Sequence, residues 1–203
     1  MKEWMDLQRQ MRELLPKKRY AHTLGVAYTS ACLAMRYGAD PDKAQTAGLL
    51  HDCAKYLTEK ELLKEGKRLG LTVSEAERKA PQLLHGKVGA CYARDRYGIE
   101  EEDILSAIRY HTTGRPNMSL LEQIVFVADY MEPGRKPIPG LAEIRREAFV
   151  DLDRTTLLIL SNTLAYLEES TADIDSRTVE TLHYYQQKGE EYGTVKGNGK
   201  IGL

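Results

Sequence analysis

Hydrophobic positions recur along this chain at helical spacing, and no stretch alternates with the period of two that a half-buried strand requires. Residues 1–15 predict an amphipathic helix closed by Pro16, and residues 17–37 a second one stopped by Gly38. Asp40-Pro41 pairs a capping side chain with a first-turn proline, and opens a helix that runs through Leu49, Leu50 and His51. Thr58 with Glu61, Ser74 with Glu77 and Ser119 with Glu122 have the spacing of capping boxes. Gly70, Gly98 and Gly114 stand where helices should end, and further helices are predicted over 82–97, 101–112, 120–131, 141–149, 151–168 and 176–188. The 124–131 stretch is apolar on every side, which predicts a buried helix. Between the elements, the Pro/Gly-rich 133–140 connection is long enough to be a functional loop. Residues 191–203, rich in glycine and lysine, read as a flexible tail beyond a single all-α domain at 1–190.

Composition supports this picture. Leu and Ala number 44 against 17 for Val and Ile, which favours helix over strand. A length of 203 residues supports one sizeable core. The net charge of −1 argues against a nucleic-acid binder with a broad basic surface. No apolar run is long enough for a membrane span, and the N-terminal stretch lacks the apolar core of a secretion signal. Three cysteines with no C-x-x-C pair suit a reducing cytoplasm.

Five histidines occur, and His22, His51, His85 and His111 each lie within or beside an apolar or small-residue helical segment. One such histidine is more often a hydrogen-bonded core residue than a ligand; four together favour a site. His51-Asp52 closes an apolar helical turn, where the negative end of the helix dipole favours a cation. Asp129 falls inside the all-apolar 124–131 segment, and a buried carboxylate needs a cationic partner. An arginine or a helix N-terminus would meet that need, and so would a metal. Imidazoles with carboxylates suit zinc, iron or manganese. His183 matches no site element and is read as structural.

His22, His51-Asp52 and Asp129, in this order, resemble the H…HD…D signature of the HD-domain metal-dependent phosphohydrolases, an all-helical superfamily. A narrower resemblance is to the bacterial HD-domain symmetrical bis(5'-nucleosyl)-tetraphosphatases of the YqeK type. It is carried by Lys18-Arg-Tyr-Ala-His22-Thr23, Gly48-Leu-Leu-His51-Asp52-Cys-Ala-Lys55, Leu84-His85-Gly86, Arg109-Tyr-His111-Thr-Thr-Gly-Arg115 and Ala128-Asp129-Tyr-Met-Glu-Pro-Gly-Arg135, and covers residues 17–190. The HD signature alone is shared by many hydrolases; the last two strings are more discriminating.

The resemblance implies a single HD-domain helical bundle that cleaves diadenosine tetraphosphate symmetrically into two ADP. It implies iron as cofactor, although the ligand types also accept manganese or zinc. One ion is assigned to His22, His51, Asp52 and Asp129, with a water on the metal as nucleophile. Asp52 can also bridge to a second ion on His85 and His111; alternatively these histidines bind phosphate or protonate the leaving ADP. Asp52, His85 and His111 are thus the catalytic candidates. Arg19, Lys55, Thr112, Thr113, Gly114, Arg115 and Arg135 adjoin the ligands and are candidates for phosphate contacts, with His85, His111 and Asp129 beside them. Gly86 and Gly89 would let a ligand or a neighbouring backbone come close to His85. Two alternatives stay open: an HD hydrolase of another nucleotide (guanosine tetraphosphate, a deoxynucleotide or a nucleoside monophosphate), and a non-catalytic nucleotide-binding helical domain. Oligomeric state, including a homodimer, is left open as well.

Overall fold

The computed structural model describes residues 4–170 and 174–197. Among them every regular element is helical. The order is α1 (Trp4–Leu14), α2 (Lys17–Tyr37), α3 (Pro41–Leu50), α4 (Glu59–Arg68), α5 (Glu75–Lys79), a 3₁₀ turn (Pro81–Leu84), α6 (His85–Asp95), α7 (Glu102–Tyr110), α8 (Leu120–Met131), α9 (Leu141–Glu147), α10 (Leu152–Glu169) and α11 (Ser176–Gly197).

The capping chemistry sits where the sequence places it. Asp40 accepts from the backbone N–H of Asp42 and Lys43, and the Thr58, Ser74 and Ser119 boxes close in both directions. Gly70, Gly98 and Gly114 take φ of +66°, +70° and +65° at the chain reversals after their helices. Two boundaries differ from expectation. The helix predicted over 82–97 is broken at His85, because Pro81 starts a separate 3₁₀ turn that hands over to α6 at that histidine. The last helix runs to Gly197 rather than 188, so the start of the expected tail is helical; 198–203 lies outside the described residues.

At the centre is α8, whose residues Leu121 to Ala128 are all buried. It packs against α2, α3, α7, α9 and α10, which accounts for its lack of a polar face. The α2–α3 pairing is the most extensive in the fold, and a Cβ on Gly48 would come within 2.8 Å of the Ala27 Cα. Gly86 does the same for α6 against α7: a Cβ there would meet the Arg109 carbonyl at 2.8 Å. The close approach at Gly86 is therefore by backbone, not by a ligand. These contacts bring the ends of α3 and α7, the start of α6 and the last turns of α8 to one place.

Candidate metal centre

Each of the four histidines is held from behind. His51 and His111 directly follow α3 and α7, where the last carbonyls of a helix lack intrahelical partners. His51 Nδ1 lies 2.6 Å from the Gly48 carbonyl, and His111 Nδ1 lies 2.7 Å from that of Ile108. His85, at the junction of the 3₁₀ turn and α6, makes the same three-residue reach to the Gln82 carbonyl. His22, on α2, points Nδ1 at Glu132 Oε1, 3.1 Å away. A carbonyl or carboxylate only accepts, so in all four rings Nδ1 carries the hydrogen and Nε2 presents a lone pair.

Those lone pairs converge with two carboxylates. His22 Nε2 lies 3.0 Å from Asp129 Oδ1, and His51 Nε2 lies 3.7 Å from the same oxygen. The two oxygens of Asp52 face different pairs. Oδ2 is 3.5 Å from His51 and 4.0 Å from His22; Oδ1 is 3.3 Å from His85 and 3.8 Å from His111. His85 Nε2 and His111 Nε2 are 2.9 Å apart. His51 Nε2 is buried and makes no hydrogen bond. A cluster of acceptors aimed at one another is unfavourable unless a cation or protons lie between them.

The titration directions agree. Burial pushes His51 down, but Asp52 and Asp129 more than reverse this and raise it. Burial favours neutral Asp52 and Asp129, yet the facing imidazoles hold both well below the usual carboxylate range. His111 is pushed down to about 3 by burial and by His85 and His51, so it stays a neutral imidazole, the ligand form. Two overlapping triads, His22–His51–Asp129 and His51–Asp52–His111, have the mutual spacing to hold a metal ion. Nitrogen and oxygen donors of this kind fit iron, manganese or zinc.

Cations ring the cluster. Arg19 Nη1 donates to Asp52 Oδ2 at 2.7 Å, and Arg135 Nη2 to Asp129 Oδ1 at 3.1 Å. Lys55 Nζ is 3.2 Å from His85 Nδ1, and burial lowers its pKa. Thr112 Oγ1 lies 3.1 Å from His111 Nε2 and 3.3 Å from His85 Nε2.

The rest of the expected phosphate cradle turns elsewhere. Thr113 donates to the Gly114 carbonyl, and Gly114 packs against Thr181. Arg115 pairs with Glu122 at 2.8 Å and lies over the Tyr110 ring. Glu122 is only 1% exposed and needs that cation, which accounts for the departure. In the opposite sense, Glu132 has a role that spacing along the chain does not assign to it. It is 3% exposed, its second oxygen accepts from the Gly134 N–H at 2.5 Å, and Arg145 binds its backbone carbonyl. Its signal in the sequence is an acid three residues after Asp129, at the position that directly follows α8.

Residues 19–134 match the HD domain family. The chain is also 44% identical over 169 residues to the symmetrical bis(5'-nucleosyl)-tetraphosphatase of Halalkalibacterium halodurans, covering 83% of this chain and 89% of that one. The chain belongs to the HD domain family. A second relative, the symmetrical bis(5'-nucleosyl)-tetraphosphatase of Bacillus subtilis, is 38% identical over 174 residues, 86% of this chain and 92% of that one. The crystal structure of a "predicted HD superfamily hydrolase involved in NAD metabolism" from Clostridium acetobutylicum superposes with a TM-score of 0.89 at 38% identity. It covers 93% of this chain and 99% of its own. Among the described residues, no helix of this HD domain is long and apolar enough to cross a membrane.

Proposed function

We propose that this HD domain is a metal-dependent phosphohydrolase that cleaves diadenosine tetraphosphate at its central bridge, consuming one water and releasing two ADP. The observation that carries the reading is the convergence of four imidazole Nε2 atoms and two carboxylates, each imidazole fixed from behind by a hydrogen-bond acceptor. The named relatives support the substrate. His22, His51, Asp52 and Asp129 would hold one ion, iron in this reading, and His85 and His111 with Asp52 would hold a second. A metal bound there supplies Lewis acidity to phosphoryl oxygens and lowers the pKa of water.

The protein's own groups do the rest. Arg19 and Arg135 stand on the carboxylates and Lys55 stands beside His85, and together they offset the charge of a polyanionic chain. Thr112 can donate to a phosphoryl oxygen from its position against His85 and His111. If it does not bind an ion, the His85–His111 pair holds a proton between its Nε2 atoms for the departing ADP. All six candidate ligands come from one chain, so the reading requires no homodimer. Cys32, Cys53 and Cys91 are free thiols, which supports placing this enzyme in a reducing cytoplasm.

The test is metal analysis of the purified protein with chromatography of its products. Two ADP from each diadenosine tetraphosphate are expected. ATP plus AMP, or no turnover in the presence of iron, manganese or zinc, would refute the proposal.

A further inference from the structure

Between the 133–140 connection and α10 lies a cavity of about 470 Å³, lined by Tyr130, Ile138, Pro139, Asn162, Tyr166 and Glu169. We propose that it holds one nucleobase of the substrate, a step that rests on the dinucleoside polyphosphate reading above.

The volume falls in the range of small-molecule sites. The lining has the chemistry of a base pocket. Tyr166 is 69% exposed and Ile138 37%, so the fold leaves both large apolar side chains uncovered beside the cavity. A base stacked on a tyrosine face would cover that surface. Asn162 donates to the Pro139 carbonyl at 3.4 Å, a long contact that leaves its carboxamide able to present a donor and an acceptor side by side. Those are the groups that pair with the N7 and N6 edge of adenine. Glu169 in the lining disfavours phosphate and favours an uncharged ring.

Position links the cavity to the cluster. Tyr130 follows Asp129 on α8, and Arg135 touches both: Nη2 on the Asp129 carboxylate at 3.1 Å, Nε on the Tyr130 carbonyl at 3.2 Å. Its guanidinium therefore sits at the pair of α8 residues that join the cluster, through Asp129, to the cavity, through Tyr130. A rival cleft of about 340 Å³ shares Thr163 with this cavity and is lined by Lys79, Gln82, Thr112 and Thr113 among others. It has no aromatic wall among the described residues and suits phosphate or ribose better than a base.

The experiment compares ADP with inorganic pyrophosphate by calorimetry on the full metal-loaded chain, in wild type, Tyr166→Ala and Tyr166→Phe. Tyr166→Ala should raise the Kd for ADP about 5- to 100-fold while leaving that for pyrophosphate unchanged, and Tyr166→Phe should restore ADP binding. In turnover the KM for diadenosine tetraphosphate should rise and kcat hold, because a base contact is the same in the ground and transition states. The inference is overturned if Tyr166→Ala binds ADP like wild type, if pyrophosphate weakens equally, or if the variant changes sedimentation instead of ADP affinity, which would mark a contact with a second copy. Wild-type protein that neither binds ADP nor cleaves diadenosine tetraphosphate refutes the substrate reading and this pocket with it. Wild-type binding that is insensitive to Tyr166 refutes the pocket alone.

Discussion

Replacing Glu132 by Gln changes one atom of a buried carboxylate and should weaken the metal centre without touching a ligand. The two oxygens of Glu132 have separate tasks: Oε1 faces His22 Nδ1 at 3.1 Å, and Oε2 accepts from the Gly134 N–H at 2.5 Å. An amide has a single carbonyl oxygen. Whichever way the substituted carboxamide turns, its NH₂ group must meet either the imidazole N–H or the backbone N–H, donor against donor. The side chain cannot swing clear, because a Cβ on Gly25 would already lie 2.5 Å from Oε2 and Arg145 holds the backbone at Met131 and Glu132. His22 then loses the acceptor that fixes its tautomer. Loss of such an orienting group typically costs 10- to 100-fold in metal affinity, equivalent to about 1.4–2.7 kcal/mol. Competition with a chromophoric chelator at fixed pH measures this directly. Activity should recover largely at saturating metal, since all six candidate ligands remain. Wild-type affinity in Glu132→Gln would refute the tautomer argument, and with it the claim that the centre is built from four oriented Nε2 atoms.

Three further outcomes follow from the same geometry. Asp52→Ala should lose metal binding and turnover while retaining its helical circular dichroism; a variant that still turns over would refute the central role of Asp52. Arg115→Ala should lower stability by about 1–3 kcal/mol, because Glu122 is 1% exposed and left with only the Ser106 and Ser119 donors. Its kcat/KM should stay near wild type, and a stable variant with collapsed kcat/KM would return Arg115 to the phosphate site. Gly48→Ala forces a Cβ to within 2.8 Å of the Ala27 Cα and should cost about 1–3 kcal/mol by overpacking α2 against α3; an unchanged melting temperature would show that the pair separates freely.

What could be read from the chain divides along physical lines. Helices with a local signal were legible almost to the residue: Lys17–Tyr37 and Leu120–Met131 lie where their stop glycine and capping box set them. The break at His85 was not, because Pro81 and the Leu pair fit both a helix start and a 3₁₀ turn, and tertiary packing decides between them. The cluster was legible because buried histidine and aspartate are rare enough to be conspicuous in apolar surroundings. Arg115 and Arg135 show the limit. Both follow a glycine close behind a histidine or aspartate, yet one is drawn to buried Glu122 and the other to Asp129. A long flexible cation goes to whichever buried acid the fold leaves uncompensated, and that depends on contacts between helices rather than on spacing along one.

Three of the four imidazoles sit at helix ends for a related physical reason. A histidine inside a helix finds the carbonyl three residues back already engaged and must seek an orienting acceptor elsewhere, as His22 does at Glu132. After the last turn of α3 or α7 that carbonyl is an orphan which termination of the helix would otherwise leave to water. Taking the imidazole N–H satisfies the carbonyl and sets the tautomer with one hydrogen bond, and needs no further side chain. His51 and His111 are therefore oriented by backbone alone, whereas His22 depends on a side chain that mutation can remove. Disruption of the outer acceptors should accordingly be concentrated at Glu132, and substitutions at Gly48 or Ile108 should disturb packing while leaving the tautomers of His51 and His111 intact.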